Sequence, residues 1–246
     1  MRVLGLIVAR GGSKGLPGKN LKRLGGHPLV GFAARASIAT PGITRTIIST
    51  DDASIAQAAV DYGAEAPFLR PPALAGDHSP VLDTVLHALR AVEAHDAPYD
   101  AVCLLQPTTP FRTPDDLSAG IDLLSGNEQA DSVVSVVEVV DHHPRRLRRV
   151  VDGRLVQFLA QGGDREGQQR QDHGEDPAYS RNGAFYLTRR ETLLVQASLY
   201  GEFVLPYIMP EMRSINIDSR LDFLLAEAAF NAEPTRPVFD AVRNLF

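Results

Sequence analysis

The feature nearest the N-terminus that could carry chemistry is a loop combining three cations with four glycines. It follows an apolar run and has the sequence A-R-G-G-S-K-G-L-P-G-K-N over residues 9–20. The glycines and Pro17 disfavour a helix and allow backbone N–H groups to converge on an anion. Arg10, Lys14 and Lys19 add positive charge, and we expect no nearby carboxylate to neutralise it. The loop therefore predicts a binding site for a polyphosphate.

Two common phosphate-binding motifs do not fit this loop. A Walker loop requires G-x-x-x-x-G-K followed by Ser or Thr, but Ser13 replaces the first glycine and Asn20 replaces the hydroxyl residue. The dinucleotide fingerprint G-x-G-x-x-G fails because Gly11 and Gly12 are adjacent. A solvated basic loop without a ligand is the simpler alternative, and the concentration of charge and glycine argues against it.

Polar residues also follow two further strand-like segments. Asp51 and Asp52 come directly after residues 46–50, and Gln106 comes directly after residues 100–105. In open α/β sheets, ligands bind beyond the carboxyl ends of the strands, so we expect these side chains to surround the same crevice as the loop. The two aspartates could contact a ribose or help to hold a metal. Capping of the helix that follows explains them equally well.

The elements that must position these residues alternate between strand-like and helix-like segments. The predicted strands are 3–9, 46–50, 100–105, 132–139, 155–159, 182–187 and 214–218, and the predicted helices are 53–62, 81–94, one that begins at 114, and 219–230. This alternation predicts one α/β domain over residues 1–246 with a doubly wound, mostly parallel sheet. Residues from about 141 to 180 break the pattern and predict a protruding arm, either a lid or a dimerisation arm.

The composition is that of an ordinary globular protein and excludes several classes of function. A net charge of −5 argues against general nucleic-acid binding. No apolar stretch approaches the ~20 residues of a membrane span, and the N-terminal strand does not resemble a signal peptide. The single cysteine, Cys103, excludes an internal disulfide, predicts a cytoplasmic protein, and is expected to be an inert core residue rather than a nucleophile. The cations therefore predict a site for an anionic small molecule.

Taken together, the motifs resemble those of the acylneuraminate cytidylyltransferases (CMP-sialic acid synthetases), a family of sugar-acid cytidylyltransferases. After the first loop, I-I-S-T-D-D begins at residue 47, L-R-P-P-A-L-A-G-D at 69 and L-L-Q-P-T-T-P-F-R-T at 104. D-H-H-P at 141, R-N-G-A-F-Y-L at 181 and S-I-N-I-D-S-R-L-D-F at 214 follow in the same order. The shorter enzymes that act on the eight-carbon acid Kdo have a related first loop but lack the Q-P-T-[ST]-P and N-G-A-x-Y segments. The chain is therefore more similar to the nine-carbon enzymes.

This resemblance implies an activity, namely transfer of CMP from CTP to the anomeric hydroxyl of a nine-carbon α-keto sugar acid, with release of pyrophosphate. It also implies a fold of the nucleotide-diphospho-sugar transferase type, a requirement for Mg²⁺, and a homodimer whose arm reaches the neighbouring active site. Two alternatives stay open. One is a related nucleotidyltransferase that uses GTP or a different acid, and the other is a non-catalytic nucleotide-binding protein.

The resemblance also assigns roles to individual residues. The residues implied to bind the nucleotide are Arg10, Gly11, Gly12, Ser13, Lys14, Lys19, Asn20 and Arg70. Arg10, Lys14 and Lys19 match positions that hold the triphosphate, and Arg70 matches a residue beside the cytosine base. Arg10 and Lys19 are implied to be catalytic together with Asp218. Asn20 could instead cap the segment that follows it, and Arg70 could be an ordinary surface arginine.

Three further residues are implied to bind the acceptor acid. Gln106 matches a residue that contacts the sugar, and Tyr186 resembles a tyrosine of the substrate pocket, although a tyrosine on a strand often belongs to the packed core. The family supplies an arginine from the arm to pair with the acceptor's carboxylate, and Arg170 is the best match. Arg165 is its competitor, because the arm is longer than the pattern expects.

The predicted metal site departs from the family pattern. The family carries D-I-D on its last edge strand, where residues two apart share one face, and this chain carries Asn216 and Asp218 there. An asparagine carbonyl oxygen can bind Mg²⁺ but adds no charge, so triphosphate oxygens and waters would complete the coordination. Asp218 is the predicted primary ligand, and it or a metal-bound water is the predicted proton acceptor. Capping of the next helix is the alternative role of Asp218.

Overall fold

The computed structural model describes residues 1–139, 142–159, 177–232 and 236–246. A six-stranded sheet lies at its centre, in the order β10-β6-β9-β5-β1-β4. The strands are Val3–Val8 (β1), Ile43–Ser49 (β4), Ala101–Leu105 (β5), Ser132–Glu138 (β6), Tyr179–Arg189 (β9) and Val204–Ile208 (β10). Only β9 runs antiparallel to its neighbours in this sheet. The prediction of a mostly parallel sheet is confirmed.

Helices cover both faces of this sheet. They are Leu29–Ile38 (α1), Ala53–Asp61 (α2), Val81–Glu93 (α3), Pro114–Ser125 (α4), Arg190–Leu194 (α5), Arg220–Asn231 (α6) and Arg236–Arg243 (α7). Apolar residues of α1, α2 and α4 pack against one face, and those of α3 and α5 pack against the other. The sheet is therefore doubly wound, as the alternation of elements predicts. None of the described helices is both long and apolar enough to cross a membrane.

Strand β1 shows why the apolar run at the N-terminus forms a buried strand. Leu4 and Leu6 point to the α3 face, whereas Val3 and Ile7 point to the α1 face. Both sets are fully buried, as expected of a parallel strand covered by helices on both sides. Gly5 allows α1 to approach closely, because a Cβ there would lie 2.3 Å from the Ser37 Oγ. The strand is thereby held firmly at the point where the cationic loop leaves it.

The predicted strand at 214–218 is wrong. The sheet ends instead at β10, which pairs with β6 and was not predicted. Residues 214–218 follow a short 3₁₀ helix, Glu211–Arg213, and have no regular secondary structure. Ile217 is nevertheless fully buried, and its backbone N–H donates to the Thr108 carbonyl at 2.8 Å. The β-like pattern therefore arises from burial against the loop after β5, not from pairing in the sheet.

Two small hairpins complete the described structure. β2 (Arg23–Leu24) pairs with β3 (His27–Pro28), and β7 (Arg148–Val151) pairs with β8 (Arg154–Gln157). The second hairpin turns at Asp152 and Gly153, both with positive φ, as a two-residue hairpin turn requires. It forms a sheet separate from the central one, and it lies in the region where the sequence predicts an arm.

Candidate active site

A crevice with a volume of about 470 Å³ opens at the carboxyl ends of β1 and β5. Its walls come from the cationic loop, the start of α3, the loop after β5 and the segment before α6. The lining residues are Val8, Ala9, Arg10, Ser13, Lys14, Gly15, Lys19, Asn20, Arg70, Val81, Thr84, Gln106, Pro107, Thr108, Asn216 and Asp218. The fold therefore brings nine of the predicted site residues to one place; Gly11, Gly12 and Tyr186 are not in this set.

Backbone hydrogen bonds and one buried amide hold the cationic loop in shape. The Gly11 N–H donates to the Asp51 carboxylate at 3.0 Å, and the buried Asn20 donates through Nδ2 to the Arg10 carbonyl at 3.0 Å. Gly18 adopts a left-handed conformation, with φ 65°, before a short 3₁₀ helix. Asn20 lies within that helix and does not cap it, so the capping alternative is wrong. Its side chain instead fixes the backbone at Arg10.

The prediction that the three loop cations lack carboxylate neighbours is wrong. Arg10 Nη1 donates to Asp77 Oδ1 at 2.7 Å, and Lys14 Nζ pairs with the other oxygen of the same carboxylate. Lys19 Nζ donates to Asp218 Oδ1 at 2.8 Å. Hydrogen bonding from Lys14 holds the pKa of Asp77 below its ordinary value. The sequence does not reveal these pairs, because their members lie far apart in the chain.

Gly15 is a site residue that sequence reasoning did not single out. A Cβ at this position would lie 2.4 Å from the Asp218 backbone carbonyl oxygen, closer than two such atoms can approach. Glycine therefore lets the cationic loop touch the segment that carries Asp218. The contact brings the loop cations and the candidate catalytic carboxylate together in one crevice.

Arg70 is buried in the crevice floor, so the alternative of a surface arginine is wrong. Its backbone N–H donates to the Thr50 carbonyl, and its side chain donates to the Ser49 carbonyl and, at 3.2 Å, to the Ser49 hydroxyl. Burial lowers the pKa of this guanidinium. Its Nη2 also donates to the Ala9 carbonyl at 3.5 Å, so Arg70 joins the ends of β1 and β4.

The two aspartates after β4 have separate structural roles. Asp52 caps α2, because its Oδ1 accepts from the backbone N–H groups of Ser54 and Ile55 at 2.7 and 3.2 Å. Asp51 accepts from the cationic loop instead. Capping therefore explains one of the pair, and attachment of the loop explains the other.

Gln106 lines the crevice directly after β5 ends. A Cβ at Gly183 of β9 would lie 2.8 Å from the Gln106 Oε1, so the glutamine packs directly against the glycine backbone. The fully buried Arg112 donates through Nη2 to the Gln106 carbonyl, a contact with no signal in the sequence. Burial lowers the pKa of Arg112 to about 10. Arg112 therefore holds the Gln106 backbone, and the absence of a side chain at Gly183 makes room for the Gln106 amide.

Tyr186 of β9 is half-buried beside the α3 face of the sheet. Its ring packs against the apolar cluster under α3 and meets the Tyr200 ring edge-on, with 5.9 Å between centroids. Burial raises the pKa of its hydroxyl. The packing fits a core role as readily as a pocket role, so contact with substrate stays a prediction. Arg170 and Arg165 lie outside the described residues.

Asn216 and Asp218 are adjacent although no strand holds them. The Asn216 amide donates to Asp218 Oδ2 at 2.6 Å, so with Lys19 both carboxylate oxygens are engaged. Asp218 does not cap α6; Ser219 does, in a capping box with Asp222. Within the described ranges, no group of three or more His, Cys, Asp or Glu side chains could hold a metal. One carboxylate and one amide suit Mg²⁺ bound mainly through substrate phosphates and water.

A buried ion pair anchors the start of this segment. Arg213 Nη1 pairs with Asp116, a carboxylate of the first turn of α4 that is 2% exposed. The Tyr207 hydroxyl donates to the other oxygen of Asp116 at 2.9 Å, and burial raises the pKa of Tyr207 to about 12. The segment is therefore tied at Arg213 and at Ile217, on both sides of Asn216.

Sequence comparison provides the deciding observation. The profile of the protein family described as "Cytidylyltransferase" matches residues 4–204. A CMP-N,N'-diacetyllegionaminic acid synthase of Legionella pneumophila is 34% identical over 231 residues, which cover 92% of this chain and 95% of that protein. The chain belongs to the sugar-acid cytidylyltransferase family. The resemblance found in the motifs is thereby confirmed, and the protein is an enzyme of the nucleotidyltransferase type.

Other relatives of this cytidylyltransferase carry different acceptor names. An N-acylneuraminate cytidylyltransferase of Escherichia coli is 29% identical over 245 residues, which cover 99% of this chain but only 55% of that protein. The pseudaminic acid cytidylyltransferase of Campylobacter jejuni is 25% identical over 230 residues, covering 94% of this chain and 97% of that protein. The relatives therefore share the transfer of CMP to a sugar acid and differ in the acid.

Solved structures support the fold of the cytidylyltransferase. A CMP:2-keto-3-deoxy-manno-octonic acid synthetase complexed with CTP superposes with a TM-score of 0.66 at 18% identity, covering 93% of this chain and 98% of that one. A 4-diphosphocytidyl-2C-methyl-D-erythritol synthase from Anaerococcus prevotii superposes with a TM-score of 0.61 at 14% identity, covering 94% and 96%. At these identities the likeness concerns the fold alone.

Proposed function

We propose that this cytidylyltransferase transfers CMP from CTP to the anomeric hydroxyl of a nine-carbon α-keto sugar acid and releases pyrophosphate. The observation that supports this most strongly is the crevice, which is lined by Arg10, Lys14 and Lys19 together with Asp218 and Gln106. A triphosphate needs the cations, and an attacking hydroxyl needs a carboxylate beside them. One crevice offers both.

The nucleotide occupies the β1 side of the crevice. Arg10, Lys14 and Lys19 hold the triphosphate, and their charges spread over its oxygens as the reaction proceeds. Arg70, buried below the loop, lies beside the base in this arrangement. The backbone of the loop adds N–H donors that need no reorganisation when the triphosphate binds.

The acceptor lies on the Gln106 side and attacks the α-phosphorus in line with the departing pyrophosphate. The anomeric oxygen forms the new P–O bond as the bond from phosphorus to the α,β-bridging oxygen breaks, and pyrophosphate leaves with that electron pair. Asp218 takes the hydroxyl proton. Lys19, at 2.8 Å from this carboxylate, keeps it oriented before the acceptor arrives. Positioning and charge neutralisation therefore carry most of the catalysis.

Asp218 and Asn216 are the residues that would hold Mg²⁺. The ion, when bound, neutralises charge on the triphosphate and restrains its geometry. The substitution of asparagine for the first aspartate of the family pattern leaves one carboxylate, Asp218, at this position. We therefore expect weaker metal affinity than a pair of carboxylates would provide.

The names of the relatives support a nine-carbon acceptor without selecting one. N,N'-diacetyllegionaminate is the first candidate. The Legionella pneumophila relative named for it has a higher sequence identity to this chain than the Escherichia coli and Campylobacter jejuni relatives. N-acylneuraminates and pseudaminate follow.

We also propose a homodimer formed through the arm, since Val150 and Leu155 of the β7–β8 hairpin are each 72% exposed. The buried, unpaired Cys103 is compatible with a cytoplasmic enzyme.

The test is pyrophosphate release from CTP across a panel of acids. The panel contains N,N'-diacetyllegionaminate, N-acetylneuraminate, pseudaminate, deaminated neuraminate and Kdo, each with and without Mg²⁺. GTP, ATP and UTP replace CTP in parallel reactions. We expect turnover with CTP and one nine-carbon acid. Preference for GTP or for Kdo would refute the proposal in its present form.

Two variants separate catalysis from binding. Lys19→Met should abolish most turnover, and Lys22→Met is its matched control, because Lys22 lies over the Phe223 ring, 5.9 Å from its centroid, and is not a lining residue. Asp218→Asn should bind CTP but release little pyrophosphate. CTP binding by the wild type without turnover on any acid would favour the non-catalytic alternative.

A further inference from the structure

The loop between β5 and α4 contains a fully buried arginine. Arg112 is 0% exposed, and we call the segment that carries it, residues 106–113, the β5 loop. Arginine side chains are almost never buried completely unless a charged partner accompanies them. Within the described ranges, however, Arg112 forms no ion pair, and its Nε and Nη1 make no hydrogen bond. Only Nη2 has a described partner, which is the Gln106 carbonyl.

The carboxylate that acts on Arg112 is already engaged with other groups. Burial lowers the pKa of Arg112 to about 10, and the negative charge of Asp116 opposes this shift only in part. Asp116 pairs through Oδ2 with Arg213 and accepts through Oδ1 from the Tyr207 hydroxyl at 2.9 Å. The Arg112 charge is therefore buried without a described carboxylate of its own, which is a costly arrangement to maintain. A buried polar group in this condition calls for a reason other than packing.

The contact with Gln106 supplies such a reason, because it closes the β5 loop on itself. β5 ends at Leu105, so the Gln106 carbonyl lies beyond the ladder of the sheet. The one described backbone donor to this carbonyl is the Thr109 N–H, at 3.4 Å, which is too long for a strong hydrogen bond. Arg112 is therefore its principal donor. A planar guanidinium locked by close packing fixes the position of the carbonyl that it binds.

The β5 loop contacts two groups that the proposed reaction uses. Gln106 and Thr108 line the crevice, and Gln106 is the implied contact of the acceptor. The Thr108 carbonyl accepts from the Ile217 N–H at 2.8 Å, one residue before Asp218. A shift of this loop would therefore displace Gln106 and loosen the support of Asp218.

We infer that Arg112 is a positioning residue for the acceptor acid, because it holds the Gln106 backbone, and with it the β5 loop, against the crevice. This inference rests on the proposed function, since Gln106 contacts the acid only in that proposal. Arg112 does not line the crevice, so it acts through Gln106. The cationic loop that is proposed to bind the triphosphate makes no hydrogen bond with Arg112 in the described chain. The effect of Arg112 therefore falls on the acid and not on CTP.

The test is a double-mutant cycle on Arg112→Met and Gln106→Ala, with the acid that the wild type turns over best. Each single change should lower kcat/KM for the acid about ten- to a hundredfold, as expected when a contact with the substrate is misplaced. The double variant should be only slightly worse than the more severe single one, because both changes remove the same contact. The Kd for CTP, measured by isothermal titration, should stay at the wild-type value.

Matched variants separate positioning from stability. Methionine has no charge to bury, so Arg112→Met should unfold at a temperature close to that of the wild type while its activity falls. Arg112→Lys keeps the charge and a donor and should recover part of kcat/KM; it also replaces Arg112→Met in the cycle if that variant does not fold. Leu193→Ala removes a buried side chain of α5 that does not line the crevice. It should lower the unfolding temperature and leave kcat/KM unchanged.

Three results would overturn the inference. One is an unchanged kcat/KM in either folded single variant. The second is a double variant whose loss is the product of the two single losses, which would show that Arg112 acts independently of Gln106. The third is a matching loss of CTP affinity, which would make Arg112 a support of the whole crevice. All three leave the proposed function intact. A wild type that is inert with every acid would instead overturn the proposed function and this inference with it.

Discussion

Asp77 should compete with CTP for the cations of the loop. Its carboxylate pairs with Arg10 and Lys14 at the same time, in the place where the triphosphate is proposed to bind. Binding of CTP must therefore break or rearrange both pairs. The change Asp77→Asn keeps the size of the side chain and removes its charge. It should strengthen the binding of CTP and of pyrophosphate.

The size of the effect follows from the exposure of the pair members. The side chains of Arg10 and Asp77 are 33% and 34% exposed, and that of Lys14 is 77% exposed. Ion pairs of this exposed kind shift an equilibrium about 1.4- to fivefold each. Loss of both should therefore lower the Kd for CTP by a factor between about 2 and about 25. The effect should shrink in concentrated salt, which screens exposed charges.

Isothermal titration with CTP and with pyrophosphate, at low and high salt, measures this change. Asp83→Asn is the matched control, because Asp83 is exposed, lies close in sequence and pairs with no cation in the described part of the chain. It changes the net charge equally and should leave the Kd near the wild-type value. Weaker binding by Asp77→Asn would refute the reasoning, since Asp77 would then orient the cations for the triphosphate. If the two variants changed the Kd for CTP equally, the change would be an effect of net charge and not of the Asp77 ion pairs.

Four further predictions concern the walls of the crevice and the core. Asn216→Asp restores a second carboxylate and should lower the Mg²⁺ concentration for half-maximal pyrophosphate release roughly tenfold; an unchanged Mg²⁺ titration would contradict the proposed metal site. Gly15→Ala should reduce kcat/KM for CTP by about a hundredfold, because the Cβ would lie 2.4 Å from a carbonyl oxygen and displace the loop; wild-type kinetics would show that the contact relaxes. Asp116→Ala leaves the Arg213 charge without its partner, so urea denaturation should show a loss of about 3–5 kcal/mol in unfolding free energy, and a loss below that of an exposed pair would contradict the burial of this ion pair. Burial raises the pKa of Cys103 to about 12, so iodoacetamide should alkylate it rapidly only after unfolding; equal rates in native and unfolded protein would contradict its burial.

Local patterns sufficed for much of the fold. The strands at β1, β4, β5 and β6 could be predicted because each is a short, branched apolar run bounded by turn residues. The first loop could be identified as an anion site because its glycines and cations lie within a dozen residues of one another. The short runs near the C-terminus were harder to assign. Residues 214–218 are buried against a loop rather than paired, and periodicity does not separate the two cases.

Most of the residues that the family motifs single out also lie together at one crevice. They do so because strands of a parallel sheet deliver their carboxyl ends to one edge, whatever the details of packing. Gln106 and the cationic loop therefore meet although almost a hundred residues separate them. No such rule applies to the position of Arg70, and only the structure shows that its side chain is buried beneath the loop.

The sequence by itself determined the strands β1, β4, β5 and β6 and the chemistry of the loop, because both depend on neighbours in the chain. The tertiary structure alone decided which carboxylates pair with the cations of the loop. Arg10 meets Asp77 across 67 positions and Lys19 meets Asp218 across 199. The need for glycine at position 15 is visible only in the structure, where the Asp218 backbone lies against it. Pairings between distant residues depend on the packing of the whole chain, and no local pattern encodes them.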